Sequence, residues 1–185
     1  MTEKENIANP GALGLGGFAL STFLLSLVNA SIIKPESLGV VLGMAFFYGG
    51  LAQILAGMWE FKMGNIFGAT CFTSFGAFWM GLALMVVLEK TGVVAAVPPA
   101  GLAAFLFAWG LFTLYATVAS FHTNKGIRVL FVPLTITFFL LAIGEYSSCF
   151  KLAGGYLGIL VAVIAWYLSM SILVNGVAKR NILPY

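Results

Sequence analysis

Six stretches of apolar residues, each about 20 long and apolar all round, dominate this 185-residue chain. In lipid every backbone N–H and C=O must be satisfied within the spanning structure, which leaves only the helix and the closed barrel. A helix rises about 1.5 Å per residue, so roughly 20 residues cross the hydrocarbon core. A barrel strand needs only about ten residues of alternating polarity, and the runs here are longer and do not alternate. The chain is therefore expected to be an all-α membrane protein with six transmembrane helices. Composition agrees: 61% of the residues are hydrophobic and 8% charged, where a water-soluble domain carries about a quarter charged residues.

The spans are read as 11–33, 38–59, 66–88, 100–121, 127–147 and 152–174. Their breaks are Lys34-Pro35-Glu36, Glu60-Phe61-Lys62, Glu89-Lys90 and the polar stretch 122–126. The longest loop, 91–99, ends on Pro98-Pro99, which can precede a helix but cannot sit inside one. The domain reading is an N-terminal tail (1–9), a six-helix transmembrane domain (10–175) and a C-terminal tail (176–185), with no room for a separate soluble domain. An even number of spans puts both ends on one side. With the N-terminus inside, the inner segments hold Lys4, Lys62, Lys125, Arg128, Lys179 and Arg180, against Lys34, Lys90 and Lys151 outside. Lys and Arg are retained in the cytoplasm, so both tails are expected there and the protein in a plasma or inner membrane. Glu3 and Glu5 beside a single Lys4 do not make the basic start of a signal peptide.

An enzyme would need a nucleophile, base or metal cluster. The one histidine, His122, stands at a helix end, and no two of the six glutamates are spaced to pair on one helix. Cys71 and Cys149 form no CxxC and read as inert thiols. No catalytic residue, metal or cofactor is expected. The nine Lys and Arg are scattered between apolar runs, so they read as loop anchors and lipid-interface residues rather than a nucleic-acid surface.

The polar groups inside the spans are mostly neutral hydroxyls, Thr73 among them, and a hydroxyl can bond back to its own helix. Asn29 and Gln53 differ, because a side-chain amide cannot satisfy all its hydrogen bonds locally and must meet another helix or water. The pattern suits a small neutral solute, or an anion held briefly by hydroxyls and helix N-termini. Twenty-two glycines permit close helix packing, and seventeen phenylalanines can supply both assembly faces and a ring that closes a narrow route by excluding water. Asn9-Pro10 stands where a helix would start, an Asn to cap and a Pro tolerated at the first position. Gln53 and Glu60, seven positions apart, share one face of the second span, and 64–68, containing Asn65, reads as a tight turn into the third.

Together these patterns resemble the acetate uptake transporter family, also called succinate-acetate permeases. The resemblance is carried by NPxxLGL from Asn9 with Phe18 soon after, YGGxxQxxxGxxE from Tyr48 to Glu60, GNxFG at 64–68, the aromatic run 72–79, and LLAIG at 140–144. It runs from about Asn9 to Pro184. It implies a six-helix protomer, a ring-shaped homohexamer, and passage of acetate and related short carboxylates, such as succinate, through each protomer. It further implies a hydrophobic constriction of Phe18, Phe75 and Leu134, with Ala165 on the last helix influencing substrate size. Phe75 stands where relatives commonly carry Tyr, and Glu145 where an amide is common. Channel and proton-coupled mechanisms both remain open, and the lack of a midplane carboxylate in the spans favours a channel. A six-helix urea or amide channel and a non-transporting membrane subunit are the alternative readings.

Overall fold

Helix α1, Gly11–Asn29, begins as the Asn9-Pro10 pair predicts: Asn9 Oδ1 accepts the Gly11 N–H at 2.9 Å, and Pro10 has no N–H to leave unsatisfied. It ends at Asn29 rather than at 33, because Ser31 takes φ 55° and the N–H groups of Ile32 and Ile33 turn back to the Leu27 carbonyl. The computed structural model describes residues 7–184. Glu3, Lys4 and Glu5, used in the charge arguments, and Tyr185 lie outside the described residues.

The second span, Pro35–Lys62, is composite rather than one regular helix. A 3-10 turn, Pro35–Ser37, leads into α2, Leu38–Phe46; a π-helical segment, Phe47–Ala52, then joins α2 to α3, Gln53–Lys62. A π turn holds one more residue than an α turn, so it shifts the face presented by everything after it. α1 lies hard against this segment, since a Cβ on Gly49 would collide with Ser21 Oγ.

The remaining four spans are α4, Ile66–Lys90; α5, Pro99–Ser120; α6, Lys125–Gly144; and α7, Ser148–Ala178. α5 opens with Pro98 extended and Pro99 as its first residue. α7 starts four residues before the expected 152, because Lys151 does not break it: the ammonium reaches back to Glu145 Oε1 at 3.1 Å; at its other end the helix continues to Ala178. Beyond Ala178 the tail folds back on its own helix. Asn175 Oδ1 accepts the N–H groups of Ile182 and Leu183 at 2.7 and 2.9 Å, while its Nδ2 donates to the Leu183 carbonyl at 2.8 Å.

In the bundle α1 lies along α7, α7 along α6, α6 along α5, and α3 along α4. Ser169 Oγ of α7 donates to the Ala12 carbonyl of α1 at 2.6 Å. Thr117 and Thr135 join α5 to α6 with their hydroxyls 2.7 Å apart. α4 meets α5 and α6 through rings: Phe75 packs edge-on against Phe112 at 5.3 Å, and Phe78 against Trp109 at 5.3 Å and Phe138 at 5.4 Å. Such pairs add roughly 0.5–1.5 kcal/mol each beyond the area they bury. Cys71 is buried inside the bundle and Cys149 is exposed on it.

Candidate permeation site

Helices α1, α4 and α6 are the first, third and fifth spans and therefore run in the same direction. Each brings one large apolar side chain to the same level. Phe18, Phe75 and Leu134 are 5%, 2% and 3% exposed, and the rings of Phe18 and Phe75 lie 5.7 Å apart at 53°. Phe138 stacks on Phe75 at 6.2 Å and 11°. Rings of five other residues surround Phe75.

Two cavities meet at this level. One, of about 270 Å³, opens on the side of the chain's N-terminal end. The other, of about 410 Å³, opens on the opposite side. Phe18 and Leu134 belong to the walls of both, and Phe75 to the N-side wall.

The N-side cavity gathers three helix N-termini. Asn9 and Gly11 of α1, Asn65 and Gly68 of α4, and Asn124 and Ile127 of α6 all line it. Each asparagine caps its helix, accepting from Gly11, Gly68 and Ile127 N–H at 2.9, 3.2 and 2.9 Å. A helix N-terminus carries a partial positive charge of roughly half a unit. Glu60, 3% exposed, sits among them, and Asn65 Nδ2 donates to its Oε2 at 2.7 Å. This approach requires glycine at 68, where a Cβ would lie 2.7 Å from both Asn65 Nδ2 and Glu60 Cδ. Gln53 lines the same cavity at 1% exposure, and among the described residues neither of its amide atoms is hydrogen-bonded.

The opposite cavity is walled mainly by apolar side chains, including Val41, Phe78, Leu106 and Phe138. Its polar members include Thr22, Asn29, Trp79 and Thr137, and its mouth holds the Glu145–Lys151 pair.

Of the residues singled out in the sequence, the structure brings Asn9, Gln53, Glu60 and Asn65 into one cavity with Phe18, Phe75 and Leu134, and sets Asn29 in the other. Pro10 is buried at the head of α1 and serves its start. Two others of these residues line neither cavity. Ala165 is fully buried in the apolar core and lines neither cavity. Thr73 also lies off both walls: its hydroxyl faces Gly57 across the α3–α4 contact, where a Cβ on Gly57 would collide with it. His122 is exposed. Sequence reading missed Asn124, although an Asn three residues before the apolar run that opens at Ile127 is placed to cap a helix. It also missed Trp79 as a polar residue, although a buried indole N–H calls for a partner.

Comparison with known proteins places this geometry in context. Residues 1–182 match the sequence profile of the GPR1/FUN34/yaaH family. The chain is 41% identical over 186 residues to the succinate-acetate/proton symporter SatP of Escherichia coli, covering 98% of this chain and 96% of that protein. It is 32% identical over 199 residues to acetate permease A of Emericella nidulans, covering 98% and 67%. A solved structure of the bacterial acetate channel SatP superposes with a TM-score of 0.93 at 38% identity, covering 97% of this chain and 99% of that one.

Proposed function

The chain belongs to the GPR1/FUN34/yaaH family, and from that premise we propose that it carries acetate and related short-chain carboxylates, such as succinate, across the membrane. The pathway runs within each protomer. The observation that carries this reading is the pair of cavities divided by Phe18, Phe75 and Leu134.

The chemistry follows from the walls. A carboxylate on the N side meets three capped helix N-termini and the free amide of Gln53, all able to stabilise negative charge. Glu60, held by Asn65, sits among those N-termini. At the constriction nothing polar replaces the water a carboxylate must shed, so the barrier is one of dehydration. Small solutes cross with partial hydration or as the undissociated acid, while larger and more hydrated ones are held back.

The three constriction residues carry no titratable group, which favours facilitated passage over an obligatory protein-borne proton. An acid crossing undissociated still takes one proton with it, and a flux assay records that as symport. Phe75, set among other rings, contributes closure and no hydrogen bond to substrate.

The same reading extends to the assembly. The protein sits in a plasma or inner membrane with residues 1–9 and the C-terminal tail in the cytoplasm, so the N-side cavity is the cytoplasmic vestibule. The protomers form a ring-shaped homohexamer, whose interfaces and lipid contacts share the apolar side chains exposed on the bundle, such as Phe47, Phe107, Tyr156 and Val177.

Uptake of labelled acetate into liposomes containing only this purified chain tests the proposal. Saturable uptake supports it. No uptake points to a non-transporting subunit, and uptake abolished by competing urea points to an amide channel.

A further inference from the structure

Immediately beyond the constriction, on the side away from the N-terminus, two polar groups are buried without a partner. Thr22 follows Phe18 by four residues on α1, and Trp79 follows Phe75 by four on α4. Residues four apart share a helix face about 6 Å along the axis, and the two helices run the same way. Both side chains therefore stand one turn past the closing rings, and both line the opposite cavity. They are 7% and 2% exposed, and among the described residues neither Thr22 Oγ1 nor Trp79 Nε1 has a hydrogen-bond partner.

Four other threonines in the spans show what Thr22 does not do, while Thr73 Oγ1, off both cavities, is unpaired among the described residues as Thr22 is. Thr113, Thr117, Thr135 and Thr137 each donate to the carbonyl four residues earlier, at 2.7–3.1 Å. Thr22 makes no such bond to Phe18. Buried polar atoms in native proteins are nearly always paired, and an indole N–H can only donate. Two orphans at one level of one cavity therefore call for an acceptor that the described residues do not supply.

We propose that Thr22 Oγ1 and Trp79 Nε1 form a binding station for the carboxyl group of a short-chain acid, with its alkyl end against Phe18, Phe78, Leu134 and Phe138. The inference rests on the permeation reading above and adds the groups that hold the substrate. The charged residues of this wall, Glu145 and Lys151, are 3.1 Å apart and compensate each other, so recognition falls to the two neutral groups. A carboxylate accepts from both. The undissociated acid accepts from Trp79 and donates to Thr22.

The test uses the chain with Trp59, Trp109 and Trp166 replaced by Phe, which leaves Trp79 as the single indole. Acetate is titrated into the purified protein at constant ionic strength, with chloride as control, while Trp79 emission is followed. The expected result is a saturable shift given by acetate alone, with a midpoint raised about tenfold by Thr22→Val, the loss of one hydrogen bond to a charged group. In the otherwise native chain, Thr22→Val and Trp79→Phe are each expected to raise the KM for acetate flux about five- to tenfold. If the single-indole protein does not assemble, the KM measurements decide. Emission indifferent to acetate in a protein that transports it, or unchanged KM in both variants, overturns the station and leaves the permeation reading standing. A shift in Trp79 emission with no flux through the native chain keeps the station and removes the pathway. Titration at two pH values then tells whether the midpoint is constant in acid or in anion, and either result keeps the site.

Discussion

Replacing Asn65 with Ala removes two interactions from one side chain. Its Oδ1 caps α4 by accepting the Gly68 N–H at 3.2 Å, and its Nδ2 donates to Glu60 Oε2 at 2.7 Å. Loss of an N-cap costs about 1 kcal/mol. Leaving the 3%-exposed Glu60 without that donor costs about 1–3 kcal/mol more, for a total of about 2–4 kcal/mol. In a chain of this size each kcal/mol shifts the melting temperature by about 2–4 °C, so Asn65→Ala is expected to lower it by about 5–15 °C in mild detergent. Asn65→Asp keeps the cap but sets a second carboxylate against Glu60, and is expected to lose about as much. The swap Asn65→Asp with Glu60→Gln restores one donor and one acceptor at the same positions, and is expected to regain at least half of the loss. Thermal unfolding followed by loss of the oligomer peak measures all three. An Asn65→Ala protein that melts within about 1 °C of the parent, or a swap no better than Asn65→Asp alone, refutes the assignment of Glu60 and Asn65 as a pair holding α3 to the head of α4.

Phe75→Tyr adds a hydroxyl with little change of volume, and acetate flux is expected to be unchanged or modestly raised, within about threefold, because the neighbouring rings keep the route closed to bulk water; a loss above tenfold contradicts the assigned role. Single cysteines placed at Lys34, Lys90 and Lys151 are expected to react with an impermeant reagent from outside the cell, and cysteines at Lys62 and Lys125 are not; the reverse pattern inverts the topology. A native mass in nanodiscs is expected to be six times that of the 19.7 kDa chain, and a monomer in both nanodiscs and detergent contradicts the ring.

Span number and helical class were legible because hydrocarbon permits so few backbone solutions. The ends were less so. Lys151 looked like a break because a charge in a run usually is one, but Glu145 neutralises it across the turn and α7 starts earlier. The π segment carried no signal in hydropathy, since Phe47, Tyr48 and Leu51 continue the apolar run; in the fold α1 packs against it at Gly49. At the site, the one-face placement of Gln53 and Glu60 could be read from their spacing, and both line one cavity. Ala165 and Thr73 could not be separated from wall residues by sequence, because both sides of these helices are apolar and only packing decides which faces a cavity. Thr22 looked like any hydroxyl that bonds back to its helix, and only the structure leaves it unpaired.

The central claim is that solute crosses between Phe18, Phe75 and Leu134, and Leu134→Ala tests it most directly. The substitution removes three heavy atoms from a side chain 3% exposed on the wall of both cavities. If the crossing carboxylate then keeps one water hydrogen bond that it otherwise loses, worth about 1.5 kcal/mol, flux rises about tenfold. Acetate uptake into liposomes is therefore expected to increase by about that factor, and bulkier or dicarboxylic acids to enter that the native chain excludes. A Leu134→Ala protein present at native amount and oligomeric state, with unchanged acetate flux and an unchanged range of substrates, contradicts the account.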